Sequence, residues 1–360
     1  MIGKQISIAL IGCGRISKSH INAIIDNYER CELAAIVDNS KIQIDNSLKL
    51  IYEKYKLEKL SPTKPKIFLS YEDLITAHKK NKINIDLVVL ATPSGMHSMQ
   101  TITAAKNGIN VCTEKPMALS YEEASDMVEI CEREKVTLFV VKQTRLNKTI
   151  IDIKKKVRDK LFGNIGVVSI NVFWHRSQEY YDKNNWRGTK DQDGGVLMNQ
   201  AIHYVDLLEW IIGPIKSLSS YTSTRSRKIE TEDTAVLALE WENGALGTMA
   251  VTMVTYPKNL ESSITIIGDK GSIKLGGKAL DKYEYSFFEI DENRDNNFQS
   301  KLKNKKQNDN GHCEYYKNIL DVLEGKSDPV CSGADSLSSI KLINLAYKAS
   351  REKRIINLID

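Results

Sequence analysis

The stretch ISIALIGCGRIS, which runs from Ile6 to Ser17, decides how this chain folds. An apolar run ends in a turn that contains Gly12 and Gly14, and a helical pattern begins at Ser17, where glycine or alanine is more usual. Gly12 permits the tight turn, and Gly14 lets backbone amides at the helix N-terminus approach a phosphate. The next apolar run ends at Asp38, whose carboxylate could bind ribose hydroxyls and repel a 2′-phosphate. This order predicts a dinucleotide-binding turn that prefers NAD over NADP; the alternative is an ordinary turn followed by a surface aspartate.

Length and composition limit the class of protein. The chain has 360 residues, which is too long for one compact core and predicts two domains. Its hydrophobic content of 41% and charged content of 27% are typical of an ordinary globular protein. The net charge of +5 is mild, the lysines are dispersed and no aromatic-rich basic stripe is present, so we expect no nucleic-acid partner. The slight positive excess suits an anionic small-molecule substrate.

The cysteines and the apolar runs bear on location. The cysteines at positions 13, 31, 112, 131, 313 and 331 show no CxxC spacing, and no signal peptide precedes them. We therefore expect reduced thiols in a cytoplasmic protein. No apolar run approaches the ~18 residues that a membrane span needs, so we expect no membrane partner.

Apolar strands alternate with helical patterns over residues 1–145, which predicts an α/β Rossmann domain with a parallel, doubly wound sheet. The predicted strands are Ile6–Ile11, Leu33–Val37, Lys66–Ser70, Leu87–Ala91, Asn110–Thr113 and Leu138–Val141. A helix is predicted over Tyr121–Glu134, with Ser120 as its N-cap. The lysine-rich stretch Asn39–Lys64 is expected to hold an exposed helix and a loop.

The pattern changes over residues 146–360, which predicts an α+β domain with a large, mostly antiparallel open sheet for substrate binding and oligomerisation. The predicted helices are Lys148–Leu161, about Gly195–Ile212, Cys313–Leu323 and Ala334–Glu352. The segment Gly166–Trp174 lies between the first two of these helices, and the predicted strands that follow are Ser217–Thr224, Thr234–Trp241, Ala245–Thr255, Ser262–Ile267 and Ser272–Leu275. Asn243-Gly244 is a strong hairpin signal. The polar stretch Asp291–Asn310 is expected to be a mobile loop.

Two motifs leave strands at the carboxyl edge of the first sheet, where ligands bind in such folds. The segment ATPSGMH ends at His97, which on its own is more typical of a structural hydrogen bond. The second motif is Glu114-Lys115-Pro116, in which a lysine beside a nicotinamide could assist removal of a hydroxyl proton if its pKa is lowered. The X–Pro bond is a candidate cis peptide. The alternative for this motif is a surface turn with an ordinary Glu–Lys pair.

The long predicted helix carries Asn199, His203 and Asp206 at spacings of four and three residues, which places them roughly on one face. Such a polar stripe among apolar neighbours is untypical of a core. A neutral imidazole is a suitable general base for oxidation of an alcohol. A structural hydrogen-bond network is the alternative. A metal site is rejected because the His–Asp pair has no evident third ligand.

Polar clusters suited to a charged substrate occur in three further segments. They are KQTRLN at 142–147, WHRSQEYY at 174–181 and NWRGT at 185–189. Guanidinium groups grip carboxylates and phosphates bidentately, and aromatic rings can stack on a sugar or a base. The alternative is a solvated loop that packs its two tryptophans.

Taken together, these motifs resemble the glucose–fructose oxidoreductase/inositol dehydrogenase/MocA family over essentially all 360 residues. The resemblance implies an NAD(P)-binding Rossmann domain, an α+β substrate domain and oxidation of sugar hydroxyls. Several separate segments are similar to one branch, the UDP-N-acetylglucosaminuronate 3-dehydrogenases. These segments are Phe139–Gln143, Asn171–Trp174, Gln178–Tyr181, Trp186–Thr189 and Thr255–Glu261.

That branch implies NAD-dependent oxidation of the C3 hydroxyl of UDP-N-acetylglucosaminuronic acid, on the route to a diamino-uronic acid of lipopolysaccharide O-antigen. It implies Lys115 and His203 as the catalytic pair, supported by Asn199 and by Asp206, whose position as acid partner varies between branches. The cofactor-binding candidates are Gly12, Gly14, Arg15, Ile16, Asp38, Thr92, Pro93, His97, Glu114, Lys115 and Gln143. The substrate-binding candidates are Lys115, Arg145, Asn147, Arg176, Tyr180, Arg187, Asn199 and His203. A homotetramer built through the open faces of the second-domain sheets is also implied.

Two alternatives stay open from the sequence. One is a dehydrogenase of the same fold that acts on another sugar, inositol or nucleotide sugar. The other is a non-catalytic NAD-binding regulator, which would have no need of both Lys115 and His203. The order in which these two residues act stays open as well, as does recycling of NADH in place by a 2-oxo acid.

Overall fold

The computed structural model describes residues 5–61, 64–277, 279–289 and 311–358. The described chain divides into two compact units. The first unit takes the residues up to Gln143 and then 311–337; the second takes 144–289 and 338–358. A single division at residue 145 is therefore a simplification, because a C-terminal segment returns to the first unit. The predicted loop Asp291–Asn310 lies outside the described residues.

The first unit is an α/β domain, as predicted. Its strands are β1 Ile6–Ile11, β2 Cys31–Val37, β3 Lys66–Phe68, β4 Leu87–Leu90, β5 Asn110–Thr113 and β6 Leu138–Val140, and its first helices are α1 Ser17–Asp26, α2 Lys41–Leu57, α3 Tyr71–Lys79, α4 His97–Ala105 and α5 Tyr121–Arg133. The strands pair in parallel in the order β3-β2-β1-β4-β5-β6. Strands β1 and β5 have the predicted bounds, and the others differ at an end by one or two residues.

Local sequence accounts for these elements. Strand β4 is buried along its whole length, as expected for a parallel strand covered on both faces. The hydroxyls of Ser40, Ser70 and Ser120 each accept a hydrogen bond from the backbone N–H three residues further on, which caps helices α2, α3 and α5. The predicted cap at Ser120 is thereby confirmed.

The second unit contains an eight-stranded sheet in the order β13-β12-β11-β7-β10-β9-β8-β14. Its strands are β7 Ile165–Phe173, β8 Ile215–Ser223, β9 Thr234–Trp241, β10 Leu246–Thr252, β11 Glu261–Gly268, β12 Gly271–Gly276, β13 Lys282–Phe288 and β14 Ile356–Asn357, and its first helices are α6 Lys148–Arg158, α7 Gln178–Asp182 and α8 Ile202–Ile212. The pair β7–β10 is parallel and the other pairs are antiparallel. The mostly antiparallel open sheet is confirmed, whereas β13 and β14 were not predicted.

One face of this sheet is buried and the other is open. Burial alternates along β9, as a strand with one covered face requires. On the covered face, Ile170 of β7 and Ile264 of β11 meet Leu208 of α8 around one small apolar gap. Helix α8 therefore lies on the sheet and has a fixed position beside it.

The C-terminal helices are α9 Gly311–Leu323 and α10 Gly333–Glu352, each beginning within two residues of its predicted start. Helix α9 packs on α1 of the first unit. None of the helices in the described ranges is both long enough and apolar enough to cross a membrane.

The predicted long helix over Gly195–Ile212 is wrong as a single element. Residues Val196–Gln200 form a π-helical turn, Ala201 lies between the two parts, and the α-helix begins at Ile202. The apolar pattern runs through both parts, so periodicity alone does not reveal the change of helix type. Asn199 belongs to the π turn and His203 to α8, so their spacing is not that of one continuous α-helix.

Candidate active site

The glycine turn after β1 has the geometry that a phosphate requires. Gly12 has a φ of +96°, and a Cβ there would lie 2.6 Å from the carbonyl oxygen of Ala91, so only glycine fits. A Cβ on Gly14 would meet nothing within 4 Å, and Gly14 and Arg15 are exposed. The turn therefore presents open backbone at the start of α1, where an anion is favoured. Ile16 is half-buried beside it.

Asp38 and Ser17 hold this turn from two sides. The Asp38 carboxylate accepts hydrogen bonds from the N–H of Cys13 and the N–H of Ser40, both at 2.8 Å. The Ser17 hydroxyl donates to the carbonyl oxygen of Gly14 at 2.6 Å. Serine at position 17 thus has a local function that glycine or alanine could not supply, and the carboxylate has a fixed place beside the turn.

His97 contacts two segments at the carboxyl edge of the first sheet. Its Nδ1 lies 2.9 Å from the carbonyl oxygen of Pro116, and its Nε2 lies 3.0 Å from that of Thr92. The residue is only 1% exposed, and these contacts join the two edge segments to each other. Burial lowers the pKa of its imidazole. Thr92 donates to Gln100, and Pro93 precedes the single turn Ser94–Met96.

Glu114 is the centre of a buried polar cluster, only part of which is evident from the sequence. Its Oε1 lies 3.1 Å from Nε2 of His20 and 3.7 Å from Nε2 of His312. The Nδ1 of His20 lies 2.8 Å from the hydroxyl of Tyr316. Burial opposes ionisation of Glu114, but the hydrogen bond from His20 and the nearby His312 imidazole outweigh it and hold the pKa of Glu114 well below its usual value. Burial lowers the pKa of His20, so a neutral ring donates to Glu114 and accepts from Tyr316.

His20, Glu114 and His312 are also a possible metal-binding group, since their ligand atoms lie within 4.8 Å of one another. Both ring nitrogens of His20 already have hydrogen-bond partners in Tyr316 and Glu114, so His20 would have to give up one of these bonds to bind a metal ion. We therefore interpret it as a hydrogen-bonded support for the next residue, Lys115, whose backbone N–H donates to Glu114 Oε2 at 3.2 Å. Lys115 is half-buried, and its peptide bond to Pro116 is cis.

In the second unit, the π turn presents polar groups from a buried segment. Val196, Leu197 and Met198 are buried, whereas Asn199 and His203 are half-buried. Asn199 donates through Nδ2 to the carboxylate of Asp193. Asp193 was not predicted, because an aspartate within TKDQDGG has the pattern of a polar loop.

Asp206 and Arg145 bind each other. Nε of Arg145 donates to Oδ2 of Asp206, and Nη2 donates to Oδ1, both at 2.7 Å. Both carboxylate oxygens of Asp206 therefore accept hydrogen bonds from Arg145. Nε and Nη2 of Arg145 are both used in this ion pair, and the residue is buried. Asn147 donates to the carbonyl oxygen of Ala279 at 2.8 Å.

The arginines of the aromatic segments form a separate cluster. Arg176 donates to Oε1 of Gln200 at 3.2 Å, and Gln200 donates to the hydroxyl of Tyr180 at 3.1 Å. The guanidinium of Arg187 lies 4.0 Å from the centre of the Tyr180 ring, as in a cation–π contact. Beside Arg187 there is a cavity of about 370 Å³ whose lining includes Thr189. Gln200 was missed because its role depends on the π turn.

Gln143, at the end of the first unit, packs near Gly311.

Comparison with known proteins identifies relatives along the whole chain. Residues 6–142 match the GFO_IDH_MocA model, described as an oxidoreductase family with an NAD-binding Rossmann fold, and residues 154–358 match the model of its C-terminal alpha/beta domain. The WlbA dehydrogenase of Bordetella pertussis, solved with NADH and UDP-GlcNAcA, is 40% identical and superimposes with a TM-score of 0.88, covering 99% of each chain. WlbA of Chromobacterium violaceum, in complex with the same two ligands, is 38% identical, with a TM-score of 0.87 over 100% of this chain and 98% of that one.

More distant relatives carry other names. The 2,7-anhydro-N-acetylneuraminate hydratase of Escherichia coli is 28% identical over 69% of this chain, and the match spans 65% of that protein, slightly less than two thirds. The D-apiose dehydrogenase of Paraburkholderia graminis is 23% identical over 99% of this chain and 90% of its own length.

Proposed function

This chain belongs to the GFO_IDH_MocA oxidoreductase family, with an NAD-binding Rossmann domain and a C-terminal α/β domain, and from that premise we propose that it oxidises the C3 hydroxyl of UDP-N-acetylglucosaminuronic acid to a ketone. The observation that carries the substrate is the similarity to two WlbA dehydrogenases, each solved with NADH and UDP-GlcNAcA, at 40% and 38% identity over nearly the full length. Relatives at 23–28% identity act on other compounds.

We propose that the glycine turn and the adjoining edge residues hold the cofactor. The open backbone at Gly14 would accept the pyrophosphate, and Asp38 would bind ribose hydroxyls. Arg15, Ile16, Thr92, Pro93, Glu114, Lys115 and Gln143 are the remaining proposed contacts. NAD supplies the hydride acceptor, so the chain's own side chains have to orient the hydroxyl and remove its proton.

We propose Lys115 and His203 as the catalytic pair. The hydride leaves C3 of the sugar, and the hydroxyl proton passes to the side chain of one of these residues as the carbon–oxygen double bond forms. Each is half-buried next to a buried hydrogen-bonded support, Lys115 after Glu114 and His203 after the π turn. Such supports fix the position of a catalytic group, on which the rate depends steeply.

For the substrate we propose Arg176, Tyr180, Arg187 and Asn199. Arg176 and Arg187 could each bind a carboxylate or a diphosphate, and Tyr180 offers a ring and a hydroxyl between them. Arg145 and Asn147 complete the proposed set; Arg145 is also hydrogen-bonded to Asp206, and Asn147 to the backbone of Ala279.

We further propose a homotetramer that uses the open face of the second-unit sheet. Register places Ile267, Val167 and Leu246 side by side on adjacent strands, and they are 45%, 46% and 58% exposed. Exposed apolar rows of this kind mark association surfaces. We also propose cytoplasmic location and a step in O-antigen synthesis, since a nucleotide-linked sugar and six free cysteines suit a reducing compartment.

The decisive experiment is to incubate the protein with NAD and UDP-N-acetylglucosaminuronic acid while absorbance at the NADH band is followed. We expect turnover, or a burst of bound NADH. UDP-N-acetylglucosamine, which lacks the carboxylate, is the matched control and should react at least tenfold more slowly. Absence of both turnover and burst would refute the substrate. Reaction with free sugars or inositol would favour a dehydrogenase of the same fold that acts on another substrate. Binding of NAD without hydride transfer from any sugar would favour a non-catalytic NAD-binding regulator.

A further inference from the structure

The start of the π turn is held by a glutamate from a distant part of the chain. Glu232 is 9% exposed, and its Oε1 accepts hydrogen bonds from the N–H of Leu197 at 3.0 Å and from the hydroxyl of Tyr347 at 2.9 Å. A Cβ on Gly195 would lie 2.1 Å from Oε2, so the carboxylate occupies the space that any other residue would fill. Gly195 has a φ of +92°, which also favours glycine.

The surroundings of Glu232 suit a carboxylate. The groups directed at it are donors. They include the backbone N–H of Leu197, the backbone groups of Val196 and of Glu232 itself, and the Tyr347 hydroxyl, which also lies 2.7 Å from the carbonyl oxygen of Gly194. The titratable group that faces Glu232 is Tyr347, and Asp193 acts on the same tyrosine. Burial raises the pKa of Glu232 to about 7, because these hydrogen bonds only partly offset the cost of desolvating the charge.

The turn has a second anchor at its other end. Asp193 accepts from the N–H of Gly188 at 2.7 Å and from the side chain of Asn199. Two buried carboxylates therefore set the path of the segment on which Asn199 is displayed and from which α8, with His203, begins. Helix α8 alone does not fix this turn, because Ala201 interrupts the helix between them.

We propose that Glu232, together with Tyr347, is a positioning residue that holds the turn Val196–Gln200 in the conformation needed for turnover. The proposal rests on the proposed function, in which Asn199 and His203 serve the reaction. When Glu232 takes up a proton, the carboxyl group loses its negative charge, so the hydrogen bonds that Oε1 accepts from Leu197 and Tyr347 lose their charge assistance and weaken. The contribution of Glu232 to kcat is therefore present above pH about 7 and declines as the pH falls through that value.

The test compares wild type with Glu232→Gln, which keeps the shape but sets an NH2 group against the donors. We expect kcat to fall about tenfold at pH 8 with KM for NAD changed less than twofold, because small displacements of catalytic groups cost this much. The ratio of wild-type to variant kcat should approach one at pH 6. Tyr347→Phe removes a donor to the ionised carboxylate and should move the midpoint of the wild-type profile upward. Glu242→Gln, on an exposed turn, is the matched control and should leave kcat and its pH profile unchanged.

Hydrogen exchange provides a readout that does not depend on the substrate. In the free protein at pH 8, the peptide covering residues 196–203 should exchange at least tenfold faster in Glu232→Gln than in wild type, while residues 234–241 are unchanged. Unaltered exchange at 196–203, or a kcat ratio that is the same at pH 6 and pH 8, would overturn the proposal. If wild type fails to oxidise UDP-N-acetylglucosaminuronic acid, the proposed function falls, and the exchange measurement alone decides on Glu232.

Discussion

Arg145 and Asp206 form a bidentate ion pair with both N–O distances at 2.7 Å, and their side chains are 6% and 2% exposed. Arg145 follows the last strand of the Rossmann pattern, whereas Asp206 lies in α8, 61 residues later. The pair ties the beginning of the second unit to the helix that carries His203. A buried ion pair of this geometry contributes more to fixing the position of α8 than to net stability, because desolvation offsets much of the attraction.

The Arg145 pair predicts a large asymmetry between single and double variants. Arg145→Ala leaves the Asp206 carboxylate buried without its counter-charge, and we expect it to lower the free energy of unfolding by about 3–5 kcal/mol. The double variant Arg145→Met, Asp206→Leu should lose much less, since no buried charge remains. Urea denaturation followed by circular dichroism measures both.

Arg133→Ala is the control for this prediction, because Arg133 pairs with Glu134 at the surface, with side chains 60% and 36% exposed. Its cost should stay below about 1 kcal/mol. An Arg145→Ala protein with normal stability and a strongly raised KM for the nucleotide sugar would contradict the structural role and show that Arg145 binds the substrate.

The proposed catalytic pair, Lys115 and His203, predicts loss of turnover without loss of cofactor binding. Lys115→Met and His203→Asn should each reduce kcat by about 10²–10⁴-fold, the usual contribution of a positioned proton-transfer group. Binding of NADH, measured by quenching of tryptophan fluorescence, should change less than threefold in His203→Asn. Lys106→Met, at an exposed lysine, serves as the control for general effects of removing a positive charge. Full activity in both variants would rule out the assigned mechanism.

The position of Asp38 predicts its effect on cofactor choice. Its carboxylate already receives the N–H groups of Cys13 and Ser40, so it is fixed beside the turn in the free protein. Asp38→Ser should weaken NAD binding about tenfold, because a charge-assisted hydrogen bond to ribose is lost. It should also raise the ratio of kcat/KM for NADP to that for NAD, because the repulsion of a 2′-phosphate is removed. Asp45→Ser, exposed on α2, is the control; equal NAD affinity in Asp38→Ser and wild type would show that the carboxylate only supports the turn.

The sequence predicts the parts of this fold that depend on local pattern. Strands β1 and β5 and the cap at Ser120 are set by apolar runs and by one side chain that bonds three residues ahead. The pairing of Arg145 with Asp206 has no local signal, since the two residues are 61 positions apart and each has other polar residues near it in the sequence. Glu232 lies in the polar run IETEDT, a pattern typical of the surface, and only the folded structure brings its carboxylate against the backbone of Gly195.

The raised pKa of Glu232 predicts how stability depends on pH. The unfolded chain ionises Glu232 near its ordinary pKa of 4.5, and the folded protein ionises it near 7. Between these values the folded state holds a proton that the unfolded state has released, so the stabilisation is present at low pH and is lost as the pH rises through about 7. Relative to Glu232→Gln, which does not titrate, the free energy of unfolding of wild type should decrease by roughly 2–3 kcal/mol between pH 5 and pH 8.

Urea denaturation of the two proteins at pH 5, 6, 7 and 8 measures this difference, with Glu242→Gln as a reference for titration of an exposed glutamate. A difference that stays constant or increases with pH would contradict a raised pKa at Glu232. Stability and turnover should therefore depend on pH in opposite directions. Ionisation of the buried Glu232 lowers the free energy of unfolding, but the same negative charge strengthens the hydrogen bonds that hold the π turn. Under this proposal, Glu232 lowers the stability of the fold and in return fixes the position of the segment Val196–Gln200, as is common for groups that a functional site requires.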